Sequence, residues 1–216
     1  MSYIDHGAGA YKRAFSQGRQ KLQALKPEEI VSRSLCKYDD LKSCFVLTSF
    51  GHDIEISYPD GLFRLLGIDG LLPLNWALIL LNYLSSAKPI PIANDWVSYR
   101  DLPQGNVFFP NIRTHVLQEL GQFYSDCDKS ILAEALHSLG FALVQSNADL
   151  DAEGNFTPRV PVRIRFWEGE DEIPASCQVL FDRTASEQMH IEDIAVICSV
   201  VKSSILTRYE LMIKGI

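Results

Sequence analysis

The chain has 216 residues, 47% of them hydrophobic and 22% charged, a balance that excludes disorder, a collagen-like fibre and an extended coiled coil. A formal net charge of −7 argues against the concentrated basic surface that nucleic-acid binding needs, and by itself names no other partner. Five scattered cysteines (Cys36, Cys44, Cys127, Cys177 and Cys198) include no C-x-x-C pair, which points to reduced thiols in a cytoplasm and away from a local zinc or iron-sulfur site.

The opening MSYIDHGAGAYKRAF has no apolar core of the signal-peptide kind. Tyr3 to Leu25 reads as a helix with a polar, basic outer face, expected to be the least integrated part of the fold. Pro27-Glu28-Glu29 then opens a second helix reaching about Tyr38; proline is tolerated in a first turn, and carboxylates favour the positive helix end. These two make a helical N-terminal segment over 1–38, ahead of a single domain over 39–216. CFVLTSFGHDIEISYP (44–59) reads as a hairpin whose two-residue turn is Gly51-His52. That turn sets Leu47 opposite Ile56 and Phe45 opposite Tyr58, with one apolar face across both strands.

The segment 73–86 is apolar almost all round, the pattern of a covered central helix. The run LLPLNWALILLNYL (71–84) that overlaps it is shorter than the ~20 residues of a membrane span, so a soluble protein without a membrane partner is expected. Asn75, Asn82 and Ser86 fall near one line of this helix, either as amides bonded to neighbouring loops or as the polar wall of a pocket. KPIPIANDWVSYRDLPQGNVFFP (88–110) is expected to be an ordered surface loop, followed by helices at 111–123 and 127–139. FALVQ (141–145) is a short strand, and NADLDAEGNF (147–156) reads as a polar turn or loop.

RVPVRIRFW (159–167) and SCQVLFD (176–182) alternate cleanly as strands. Pairing them about EGEDEIPA sets Phe166 opposite Cys177, Ile164 opposite Val179 and Val162 opposite Phe181, so one face is wholly apolar. The other face carries Arg163, diagonal to Asp182, and Arg165, opposite Gln178. A last apolar helix spans 191–206, with Glu192 and Asp193 in its first turn. The fold class is therefore α+β: antiparallel hairpins packed against a buried central helix and a C-terminal helix.

Phosphate-binding loops, the dinucleotide glycine pattern, H-E-x-x-H and G-x-S-x-G are all missing, so no local motif announces an enzyme. Three groups could carry binding chemistry. Arg163, Arg165 and Gln178, with Arg183 beyond, can hold an anion through paired N–H donors, or form a solvated hairpin face balanced by nearby acids. Trp96, Tyr99 and Arg100 offer aromatic faces and a fork donor in a loop, although loops that cover a core recruit the same residues. Among His6, His52, His115, His137 and His190, the last precedes a helix, where the dipole favours the neutral imidazole that ligates metals; a plain capping histidine is the alternative.

LPLNWALILLNYL, DWVSYRDLPQGNVF and RVPVRIRFWEGEDEIPASCQVLFDRTASEQMHIEDIAVICSVV together resemble a domain-of-unknown-function family of anaerobic bacteria and archaea, over about residues 30–206. The third segment is the most specific. Some members look fused to a four-cysteine iron-sulfur module of the corrinoid iron-sulfur protein type, which implies a setting in anaerobic one-carbon or corrinoid metabolism. This chain has no clustered cysteines to carry such a cluster, and the resemblance transfers no catalytic residues.

Two functions follow as expectations. The first is a cytoplasmic accessory protein binding a corrinoid or other tetrapyrrole, with Trp96 and Tyr99 as flat contacts, Arg100, Arg163 and Arg165 on its polar fringe and His190 as axial ligand. It requires a pocket where the 94–106 loop meets the arginine face. The second is a module that docks on an iron-sulfur or methyltransferase partner, or on its own copy, through a flat patch there. An enzyme is a third reading.

Overall fold

The computed structural model describes residues 3–5, 9–67 and 71–215. In chain order the elements are α1 (Lys12–Gln23), α2 (Pro27–Ser34), β1 (Lys37–Asp39), β2 (Cys44–Ser49), β3 (His52–Ser57), β4 (Phe63–Leu65) and α3 (Leu74–Ser86). After β5 (Trp96–Ser98) come α4 (Phe109–Ile112), a π turn (Arg113–Leu117), α5 (Gln118–Asp126) and α6 (Lys129–Ser138). The chain ends in β6 (Ala142–Leu143), β7 (Leu150–Thr157), β8 (Val160–Trp167), β9 (Ser176–Asp182), α7 (Ala185–Gln188) and α8 (Ile191–Ile213). The strands form two antiparallel sheets, ordered β1-β2-β3-β4 and β5-β9-β8-β7-β6, so the fold is α+β.

Helix α3 is the central element. Trp76, Ala77, Ile79, Leu80, Leu81, Tyr83 and Leu84 are buried on it, and it packs against α1, α2 and α8. The first helix is better anchored than its polar composition implies: Phe15 and Leu22 are wholly buried. Gly18 lets its backbone approach α3 so closely that a Cβ there would sit 2.8 Å from Leu81 Cδ2. Helix α2 stops four residues earlier than Tyr38, because Leu35 adopts a left-handed conformation (φ 59°) and the chain turns into β1. The C-terminal helix runs on beyond Leu206 to Ile213, its stripe of Ile191, Ile194, Cys198, Val201 and Ile205 buried throughout.

The β2–β3 hairpin forms with a different turn from the one expected. Ser49 pairs with His52, Leu47 with Ile54 and Phe45 with Ile56, so the turn residues are Phe50 and Gly51. Both have positive φ (42° and 72°), as a type I′ turn requires. The cause is tertiary: the Phe50 ring is buried, stacked on Phe141 at 5.4 Å and edge-on to Trp76 at 5.7 Å. Gly51 meets Gly140 backbone to backbone, where a Cβ would lie 3.0 Å from the Gly140 nitrogen. A slip of two residues preserves the side-chain alternation, so the apolar face survives although the partners change.

In the larger sheet the β8–β9 register is the expected one, with Phe166 opposite Cys177, Ile164 opposite Val179, Val162 opposite Phe181 and Arg165 opposite Gln178. The stretch read as a polar loop is instead strand β7, at the interior of the sheet. Leu150, Ala152, Gly154 and Phe156 take its core side, and Gly154 leaves room for the Phe141 ring at 2.8 Å from a would-be Cβ. Asp151 lies opposite Arg165 and Glu153 opposite Arg163, so the charges that disguise this strand are neutralised by the next one. Nor does Asp182 serve Arg163: it is wholly buried and accepts hydrogen bonds from the amides of Ala93, Asp95 and Thr184 and from the Thr184 hydroxyl.

Candidate functional site

Strand β5 covers only one end of β9, pairing Trp96 with Asp182, Val97 with Phe181 and Ser98 with Leu180. At Tyr99 the chain leaves the sheet as a 3-10 turn, Tyr99–Asp101. Gly105 holds that turn closed: its ideal Cβ would stand 2.0 Å from the Tyr99 carbonyl oxygen, so any side chain there must push the turn open. Among the described residues, 176–179 consequently have no strand neighbour on their outer edge. A cleft of about 470 Å³ fills that place, walled on the far side by Phe109, Ile112, Arg113 and Leu117 and by Gln118 at the start of α5.

The wall departs from regular α-helix at the cleft, because Arg113–Leu117 is a π turn. Such turns are inserted residues that re-aim side chains, and they recur at functional sites. The lining is mostly apolar, with Phe109, Ile112, Leu117, Pro174 and Val179 beside two guanidinium groups, Arg100 and Arg113. The Arg100 guanidinium lies 5.5 Å from the Phe109 ring centre and 3.7 Å from the exposed carboxylate of Asp101. Arg113 pairs with no carboxylate among the described residues. Gln118 and Gln178 add neutral hydrogen-bonding groups. This arrangement suits a ligand with an apolar body and an anionic end.

The six residues expected to form one site divide into three places. Tyr99 and Arg100 line the cleft, and buried Tyr99 donates its hydroxyl to the Ile191 carbonyl at 3.0 Å. Trp96 is half-buried on β5 with the Arg163 guanidinium 5.8 Å from its ring centre. Arg163 and Arg165 both bind the buried Asp151 carboxylate, at 2.7–2.9 Å, and Arg163 also reaches Glu153 at 2.9 Å. That face is an ion-pair network centred on Asp151, and neither arginine lines the cleft. Arg183 is likewise paired, with Asp95 at 2.5 Å.

His190 caps α8, its Nδ1 accepting from the Glu192 amide at 3.3 Å. It lies in a separate polar groove with Lys21, Asn82, Ser86 and Asp193. There Asn82 donates to both Asp193 carboxylate oxygens (3.1 and 3.2 Å), and Ser86 donates to the Gln188 carbonyl at 3.0 Å. Asn82 and Ser86 of the polar line on α3 are thus bonded to neighbouring elements and also border a groove, whereas Asn75 accepts from the Trp76 amide of its own helix at 2.9 Å. Burial pushes the Asp193 carboxyl above its usual value. Burial also raises all five thiols, Cys36 to about 11, so they stay protonated at neutral pH. His6 lies outside the described residues.

The sequence reading missed Phe109, Arg113 and Gln118. A signal for them exists: Phe109, Arg113 and Leu117 recur at four-residue spacing, which makes Arg113 a charge within an apolar helical stripe.

Among the described residues no helix is long and apolar enough to cross a membrane, and no cluster of three or more His, Cys, Asp or Glu could hold a metal ion. No curated protein and no solved structure matches the chain. A family model does match, over residues 26–203, from the second helix through most of α8. The segments that build both sheets and the cleft all fall within that match, and the chain belongs to the family described as Domain of unknown function (DUF3786).

Proposed function

We propose that the domain is a binding module whose β9 cleft takes an amphipathic anion, an apolar or aromatic body carrying carboxylate or phosphate. The carrying observation is Arg113: an exposed guanidinium that lines a mostly apolar cleft at the start of a π turn and is not paired with a protein carboxylate among the described residues. A corrinoid or other tetrapyrrole in the anaerobic cytoplasm belongs to this ligand class. Its polar fringe would meet Arg100 and Arg113 in place of Arg163 and Arg165. Among the described residues no histidine lines the cleft, so His190 would not be its axial ligand.

Anaerobic titrations with haem, hydroxocobalamin and anilinonaphthalenesulfonate test this reading. A saturable spectral or fluorescence response is expected, weakened about tenfold in Arg113→Ala by loss of a charge-assisted contact and unchanged in His190→Ala. No saturable response to any probe, or one indifferent to both Arg100→Ala and Arg113→Ala, rejects the cleft as the site. The hydroxocobalamin arm separates a corrinoid from other members of the class. Gly105→Ala is expected to cost about 1–3 kcal/mol in denaturant unfolding and to weaken probe binding, because the turn carrying Tyr99 and Arg100 must shift.

The uncovered edge at 176–179 supports a second reading, in which an extended segment of an iron-sulfur or methyltransferase partner adds as a strand beside β9. Slowed amide exchange at 176–179 on adding such a partner would favour it over the small ligand.

A further inference from the structure

A second groove, of about 340 Å³, shares no lining residue with the cleft among the described residues. It lies between the start of β3, the N-terminal end of α3 and the second half of α8. Its inner wall is apolar: Leu72, Trp76 and Leu139 are buried, Leu65 and Leu211 partly so, and Leu71 stands 71% exposed beside them. The Trp76 indole N–H is already used, donating to Ser49 Oγ at 2.9 Å, so what the tryptophan offers the groove is ring surface.

The polar end holds His52, Ser204, Thr207 and Arg208. Several arginines of this protein are matched to their surroundings: Arg163 and Arg165 bind Asp151, Arg64 binds Glu55, and Arg159 binds three carbonyl oxygens. Arg208 differs. Its Nε donates to the Ser138 hydroxyl at 2.9 Å, and it pairs with no carboxylate among the described residues. That single bond positions the guanidinium and leaves its two terminal amino groups for another acceptor. His52 is half-buried with its ring centre 6.1 Å from that of Trp76. Burial, and then the Arg208 charge, hold its imidazole below the usual value, so at neutral pH it is uncharged and still has an N–H to donate.

We propose that this groove is a second ligand site, for a monocarboxylic acid with an apolar aliphatic or aromatic tail. The carboxylate meets the Arg208 guanidinium, with His52 and Thr207 alongside, and the tail lies against Trp76, Leu72 and Leu211. A guanidinium–carboxylate bond in a partly desolvated groove is among the stronger polar contacts a protein makes. An alcohol with the same tail would keep the apolar contact and lose that bond.

The test uses the full chain with Trp96→Phe and Trp167→Phe, which leaves Trp76 as the sole tryptophan. Octanoate and octan-1-ol are titrated while Trp76 emission is followed. Octanoate is expected to saturate the response at lower concentration than the alcohol. Arg208→Met, which keeps the apolar stem, should weaken octanoate about tenfold and leave the alcohol unchanged. Arg113→Ala in the same background should leave the octanoate response intact, since that residue belongs to the other cleft. The site is overturned if octanoate and octanol titrate alike, if millimolar octanoate gives no saturable change, or if the response is lost in Arg113→Ala. The acid–alcohol comparison needs no substitution at Arg208 and decides the matter even if Arg208→Met does not fold.

Discussion

Asp151→Ala is expected to lower folding stability by about 3–5 kcal/mol, because it strands two partly buried arginines around an empty position. The carboxylate is 3% exposed and receives Arg163 Nε, Arg163 Nη2 and Arg165 Nε. For a domain of this size the melting temperature should fall by roughly 6–20 °C. The effect has a defined pH signature. Burial alone would raise the Asp151 carboxyl, but hydrogen bonds from Arg163 and Ser146 and the charges of both arginines outweigh it and hold the group below its ordinary value. A depressed carboxyl contributes its stability above the unfolded value and loses it as pH falls through the folded one. The gap between wild type and Asp151→Ala is therefore full at neutral pH and closes below about pH 4. Urea unfolding across pH 3–7 measures it; a neutral-pH difference under about 1 kcal/mol would show the network to be solvated.

Arg159→Ala should cost about 3 kcal/mol by a different route. Arg159 is 8% exposed, and its bonds go to the carbonyl oxygens of Ser32, Arg33 and Ile90. Two of these lie in the last turn of α2, where helix carbonyls lack partners of their own and the dipole is negative. The guanidinium therefore acts as a C-terminal cap supplied from the β7–β8 turn and ties α2 to the 88–90 segment. Arg159→Lys should recover only part of the loss, since a single ammonium cannot span three acceptors in the planar fork's geometry. Denaturant midpoints for the three proteins check the order. Amide exchange localises it: protection should fall first at Leu35, whose amide closes the end of α2 on Val31.

The elements legible in the sequence were those whose burial is written in their own composition. The β8–β9 register followed from alternation on both strands, and α3 and α8 from apolar patterns long enough to be helices. Strand β7 was hidden because Asp151, Glu153, Gly154 and Asn155 have the composition of a turn; their pairing with Arg163 and Arg165 exists only after the sheet forms. The same concealment misled the reading of the site. With Asp151 unseen, the two arginines stayed open to two readings, an anion site or a hairpin face balanced by nearby acids. Tyr99 and Arg100 were legible as loop aromatics and fork donors, but Arg113 depends on a π turn, a one-residue departure from helix that no propensity scale records. The hairpin turn went astray for a third reason: Gly51-His52 is the better local turn, and the buried Phe50 ring overrides it.

The contact between Gly51 and Gly140 bears on how the protein can be handled. Both sit in short turns, the customary places to insert an epitope or a fluorescent reporter. Here the turns press on each other backbone to backbone, so an insertion at either would wedge the β2–β3 hairpin away from the α6–β6 corner and unseat Phe50. The turn between β1 and β2, where Leu41 is 99% exposed, is the permissive site for a label, away from the residues that line either groove.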